Sequence, residues 1–192
     1  MYKNSGIGMD RVLFDTEYLQ LKYTLSKTGK RWVYAHRPNA SDVVVILPVC
    51  GDEVLFLIEE RPPLYAENRG KYCIGLPAGL VGDERKGESI NDAIIAELKE
   101  EAGLEADKVE IKCKKTASSS GCVSETCVIA LAYIKSKETI SPPIDDGGVI
   151  VDRIWVKKKD VLKWLNEKDA EGYVISSSTL GALFYLFEEE KI

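Results

Sequence analysis

The sequence is poor in histidine, in paired cysteines and in long apolar runs. His36 is the single histidine among 192 residues. Mechanisms that need two histidines, common zinc hydrolase designs among them, are therefore excluded. Five cysteines, Cys50, Cys73, Cys113, Cys122 and Cys127, form no CxxC pair. An odd number without metal-ligand spacing argues against a disulfide framework or a zinc site and suits a reducing cytosol. The longest strongly apolar run, Val43-Val44-Val45-Ile46-Leu47, stops at Pro48. That is far short of the roughly 20 residues a membrane span requires. Residues 1–10 carry no apolar signal core, so a cytoplasmic protein is the expectation. An excess of bases is also missing: 26 Lys and Arg face 31 Asp and Glu, a net charge of −5. A general nucleic-acid binder needs a basic face to displace counterions, so neither nucleic acid nor membrane is an expected partner. A small anionic substrate stays compatible, because a bound metal inverts the local field.

The apolar fraction of 45% and the charged fraction of 30% describe a globular chain. The length suits one domain with a small appendage. Residues 12–23 partly alternate apolar and polar, as in a half-buried strand. Ser26-Lys27-Thr28-Gly29-Lys30 reads as a turn and residues 31–36 as the return strand. Arg37-Pro38-Asn39-Ala40-Ser41 breaks the pattern, which divides a β appendage at 1–40 from a main domain at 41–192. Strands are expected at 43–49 and 54–59, then a loop holding Pro62, Pro63 and Gly70, then a short strand at 72–76. Further strands are expected at 109–112, 126–134 and 149–156, and helices at 160–166 and 178–188. This order predicts an α/β (α+β) fold, a mixed sheet with helices packed on it.

One helix is sharply delimited. Ser89 can cap it, Asp92 follows three residues on, and Gly103 stops it. At about 3.6 residues per turn, Glu97 and Glu101 continue the stripe of Ile90 and Ile94, with Glu100 at its edge. A solvated acidic run would place its charges opposite the apolar residues. Carboxylates four residues apart repel, and partial burial worsens that unless cations compensate. Residues 83–101 hold seven acids and three bases, so most of the excess negative charge sits in one loop and helix. Hard divalent ions take oxygen ligands and bridge a few carboxylates to substrate phosphates. On charge alone, an ordinary acidic helix surface is the blander account.

The flanking residues favour the cation site. Gly82, Glu88 and then Ala96-Glu97-Leu98-Lys99-Glu100-Glu101-Ala102-Gly103-Leu104 resemble the Nudix box, G-x5-E-x7-R-E-U-x-E-E-x-G-U with U aliphatic. Every fixed position matches except the arginine, which is Ala96. Glu60-Arg61-Pro62-Pro63-Leu64 followed by Gly75-Leu76-Pro77-Ala78-Gly79 resembles the ADP-ribose pyrophosphatase branch, where an R-P-P segment precedes E-[LF]-P-A-G. Thr28 to Trp32 with Arg37 resembles that branch's N-terminal sheet. Residues 119–125 resemble its S-P-G-x-[ST]-x-E loop.

The resemblance implies a Nudix α/β/α sandwich and a homodimer that swaps its N-terminal β appendages. It implies hydrolysis of the pyrophosphate of ADP-ribose or a related nucleoside diphosphate sugar, giving AMP and a sugar phosphate. Mg²⁺, or Mn²⁺ in its place, would be held by Glu97, Glu100, Glu101 and the carbonyl of Ala78, with Glu88 in support. Trp32, Arg37, Arg61 and Glu125 would meet the substrate. The departures are Gly75 for the pattern's glutamate, Ala96 for the box arginine and Ser120 for the loop proline. Gly79 and Gly82 both compete for the role of the box's first glycine. A loop glutamate expected between Ser141 and Asp152 is absent, leaving Asp145, Asp146 and Asp152 as candidates for the base. Two alternatives stay open: hydrolysis of another dinucleotide or nucleotide sugar, and a nucleotide-binding or regulatory module with little turnover. Taken alone, Trp32 reads as a packed aromatic.

Overall fold

In the computed structural model, residues 11–83, 85–140, 142 and 150–189 are described. Strands β1 (Arg11–Asp15), β2 (Gln20–Leu25) and β3 (Arg31–His36) form a separate antiparallel sheet. Strands β4 (Asp42–Cys50), β5 (Glu53–Glu60), β6 (Tyr72–Gly75), β7 (Ala78–Val81), β8 (Lys108–Ala117), β9 (Thr126–Tyr133), β10 (Ile150–Lys157) and β11 (Val174–Ile175) form a mixed sheet. Its main path runs β11-β6-β5-β4-β9-β8, with β10 on β5 and β7 on β4. The pairs β4–β9 and β6–β11 are parallel, and the others are antiparallel.

The central strands explain the apolar run. Val45, Leu47 and Val49 of β4 enter one core, and Val44 and Ile46 enter the other. On β9, Ile129 and Leu131 alternate in the same way with Val128, Ala130 and Ala132. A strand buried on both faces has no polar alternation to show. Helix α2 (Ile90–Ala102) covers one face with Ala93, Ile94, Leu98 and Ala102. Helices α3 (Val161–Ala170) and α4 (Ser177–Glu189) cover the other through Val161, Leu165, Ala182, Leu183 and Leu186. The result is the α/β/α sandwich expected above.

The ends of α2 follow their sequence signals. The Ser89 hydroxyl accepts the Asp92 amide at 3.2 Å, and the Asp92 carboxylate accepts the Ser89 amide in return. Gly103 takes a left-handed φ of 69° and donates its amide to the Lys99 carbonyl at 2.9 Å. A residue with a Cβ would be strained in that conformation.

Other boundaries differ from the sequence reading. Residues 12–23 are two strands, because Thr16 closes a turn: its amide and hydroxyl donate to the Leu19 carbonyl, and its hydroxyl accepts the Leu19 amide. Pro62 and Pro63 do not simply break the chain but begin a short helix, α1 (Pro62–Ala66). Proline's fixed φ and missing N–H suit a first helical turn. Strands β7 and β11 are additional, β8 extends to Ala117, and α3 runs to Ala170 after a 3₁₀ turn at Lys158–Asp160. Val149 lies outside the described residues.

Candidate active site

Three groups of residues converge on a cleft of about 880 Å³. Helix α2 contributes Glu97, Glu100 and Glu101, all half-buried. Ala78, Gly79 and Leu80 of β7 lie beside them. Arg37, Glu59, Arg61 and Glu125 line the same space. The sequence reading thus placed Ala78, Glu97, Glu100, Glu101, Arg37, Arg61 and Glu125 apart along the chain, and the fold brings all seven together.

Local geometry explains how the carboxylates reach β7. The Ile46 amide donates to the Pro77 carbonyl at 2.9 Å, which fixes the turn into β7 against β4. The next amide along, that of Ala78, donates to Glu101 Oε2 at 2.9 Å. Glu97 lies directly over Gly79: a Cβ there would sit 1.7 Å from Glu97 Oε1. Gly79 is therefore required for close approach. Gly82 differs, with a positive φ of 86° and open space where a Cβ would stand. Its amide donates to Glu88 Oε2 at 3.3 Å, so Glu88 braces the loop.

The arginines are held by acids. Arg37 Nε donates to Glu125 Oε2 at 2.7 Å, and Arg61 pairs with Glu59. Burial raises the Glu59 carboxyl above its ordinary value, outweighing the lowering pull of Arg61. Cys127 also lines the cleft. Burial pushes its thiol up, and Glu125 and Asp42 add to the shift. A thiol held in its neutral form is a poor nucleophile.

Other candidates lie elsewhere. Trp32 is 51% exposed, donates Nε1–H to the Gly121 carbonyl at 2.8 Å, and does not line the cleft of its own chain. Asp152 is exposed and its Oδ1 accepts the Arg153 amide; Ile150, two residues earlier, lines the cleft, but Asp152 does not. Asp145 and Asp146 lie outside the described residues. Ala96, at the box-arginine position, borders a groove with Arg85, Lys99 and Glu100. Arg153 Nε donates to the Glu101 carbonyl, which ties β10 to the last turn of α2.

Glu59, Asp83 and Ser176 to Ser178 line the cleft without having been singled out in the sequence. Glu59 and Asp83 had the charge as a signal but matched no motif position. The serines reach the cleft through the β11–β6 pairing, which places the start of α4 there.

Among the described residues, no three acids, histidines or cysteines are gathered into a ready-made metal cluster. The donor set still fits Mg²⁺, which commonly keeps several waters and takes one or two carboxylates plus substrate phosphates. Glu97 and Glu101 offer hard oxygen donors in one cleft, and Ala78 lines the same space.

A family model described as NUDIX domain matches residues 39–174. Over 80 residues the chain is 39% identical to an uncharacterised Nudix hydrolase of Schizosaccharomyces pombe, covering 38% of this chain and 35% of the relative. Over 96 residues it is 33% identical to the ADP compounds hydrolase NudE of Escherichia coli, covering 50% of this chain and 46% of the relative. Each match spans less than half of the relative's length. A crystal structure of an ADP compounds hydrolase superposes with a TM-score of 0.69 at 21% identity, over 96% of this chain and 93% of that one, which shows a shared fold.

Proposed function

The chain belongs to the Nudix family, and from that premise we propose that it hydrolyses the pyrophosphate bond of ADP-ribose or a related nucleoside diphosphate sugar. Water adds its oxygen to one phosphorus, the bridging P–O bond breaks, and AMP and a sugar phosphate leave. The observation that carries this reading is the meeting of Glu97, Glu100 and Glu101 with Arg37 and Arg61 in one cleft. Arginine forks match diphosphate oxygens bidentately. Glu97, Glu101 and the Ala78 carbonyl would hold Mg²⁺, or Mn²⁺ in its place. When bound, that ion neutralises the diphosphate and lowers the pKa of water. The base is a carboxylate near the attacked phosphorus. Asp145 and Asp146 remain its candidates and Glu125, which lines the cleft, is the next, whereas Asp152 stands outside that cleft.

A panel of diphosphates with Mg²⁺ tests the substrate: ADP-ribose, other nucleotide sugars and dinucleotides, each followed by release of nucleoside monophosphate. ADP-ribose is expected to show the highest kcat/KM. A preference for another member would keep the chemistry and replace the substrate. A second reading, a nucleotide-binding module with little turnover, is favoured by Gly75 and Ala96 and by the glutamate-free stretch before Asp152. It predicts ADP-ribose binding without hydrolysis under any divalent metal.

The N-terminal sheet supports a homodimer. Phe14 is 64% exposed, and Val12, Leu13, Leu21 and Trp32 are also exposed apolar residues on these three strands. So small a sheet is marginal without another surface to cover it. The exposed face of this sheet would pack on the other chain and bring Trp32 to the partner's cleft, where it would stack on adenine, while Arg37 stays in its own cleft. Sedimentation at micromolar concentration should give about twice the 21.3 kDa chain mass. Trp32→Ala should weaken ADP-ribose binding about ten-fold or more, if base stacking has its usual strength. A monomer with unchanged affinity in the variant would make Trp32 a packing residue of its own chain.

A further inference from the structure

Gly75 and Glu59 sit on neighbouring strands, and Glu59 lines the cleft. The β5–β6 register sets Leu57 across from Gly75 and Glu59 across from Cys73, so Glu59 and Gly75 are diagonal neighbours on one face. A Cβ built on Gly75 would stand 2.1 Å from Glu59 Oε2 and 3.0 Å from its carboxylate carbon. The Glu59 side chain therefore occupies the space that any side chain at 75 would need. It is 3% exposed, while Arg61, its partner, is 47% exposed and lines the cleft. A buried carboxylate anchors the guanidinium, and the remaining N–H groups are left for the cleft.

We propose that Glu59 is the positioning residue for Arg61, aiming its guanidinium at the substrate diphosphate, and that Gly75 is glycine because the Glu59 carboxylate lies over it. This rests on the function proposed above. Burying a carboxylate is costly, and here burial outweighs the pull of Arg61. A cleft that needed only packing would be served by an apolar side chain at 59. The geometry also makes the arrangement exchangeable. The carboxylate carbon of a glutamate placed at 75 has about the reach from its own Cβ that separates that Cβ from the carboxylate of Glu59.

The experiment compares wild type with Glu59→Ala, Glu59→Gln, Gly75→Glu, Arg61→Ala and the exchange Glu59→Ala with Gly75→Glu. Glu59→Ala and Glu59→Gln should each raise KM for ADP-ribose about ten-fold with kcat changed much less, as expected for losing a charge-assisted anchor. Arg61→Ala should raise it at least as much, and adding Glu59→Ala to it should do nothing further. Gly75→Glu alone forces two carboxylates into one space and should be as damaging. The exchange should recover most of the lost affinity. Glu59→Gln keeps the shape, so it decides the matter if other variants fail to fold by circular dichroism. An unchanged KM in Glu59→Gln, or a folded exchange variant no better than Glu59→Ala, would overturn the proposal. If wild type hydrolyses no diphosphate, the functional reading fails separately, and calorimetric affinity for ADP-ribose across the same variants reads the pair.

Discussion

Glu97→Gln and Glu101→Gln should each lower Mg²⁺-dependent turnover about 1,000-fold or more while leaving the melting temperature near that of wild type. Both side chains are half-buried and line the cleft. Glutamine keeps their size and removes their charge. At 101 it also keeps an oxygen for the Ala78 amide, so the β7 turn stays docked on α2. What is lost is affinity for a divalent cation, which binds carboxylate far better than amide oxygen. Such an ion contributes several kcal/mol to transition-state charge stabilisation, and each 1.36 kcal/mol is a factor of ten in rate. Steady-state kinetics across a Mg²⁺ titration, with thermal melts alongside, give the answer. Retained activity in both variants would reject the metal-site assignment.

Gly79→Ala and Gly82→Ala should fail in opposite ways, although only Gly82 has five residues between it and Glu88 as the box pattern asks. Gly79 has an ordinary φ, so alanine is allowed by the backbone. Its Cβ would stand 2.0 Å from the Glu97 carboxylate carbon, inside any tolerable contact. Glu97 must swing away, and turnover should fall about 100-fold or more with little change in stability. At Gly82 the space is open but φ is 86°. Alanine there should cost about 1 kcal/mol of stability through the left-handed backbone, with activity largely kept. Denaturant melts and kcat/KM on the two variants separate these outcomes. Equal losses of activity would show that the glycine requirement does not act through Glu97.

The parts of this site that could be read from the sequence are those encoded locally. Helix α2 announces itself through Ser89, Asp92 and Gly103, and its phase puts Glu97 and Glu101 on the stripe of Ile94. The central strand β4 announces itself as an unbroken apolar run, because both of its faces are buried. Other features depend on partners distant in sequence. Glu59 looks like one of two adjacent acids until strand pairing sets its carboxylate over Gly75. Gly79 looks like a turn residue until α2 packs on it. The turn between β1 and β2 escaped notice because the Thr16 hydroxyl does the work usually given to glycine or proline. Helix α1 escaped because Pro62 and Pro63 mark a helix start as readily as a break. Arg37 and Glu125 each matched a motif, but their ion pair, across 88 residues of sequence, is visible only in the fold.

Hydrolysis of the ADP-ribose pyrophosphate at the carboxylate and arginine cleft underlies every outcome proposed above. It is tested most directly by incubating the full chain with ADP-ribose and Mg²⁺ and separating the products. AMP and ribose 5-phosphate should appear in equal amounts, with none of either when EDTA replaces the metal and about 1,000-fold less from Glu97→Gln. Intact ADP-ribose after prolonged incubation with Mg²⁺ or Mn²⁺, from a folded protein that binds it, would rule that hydrolysis out.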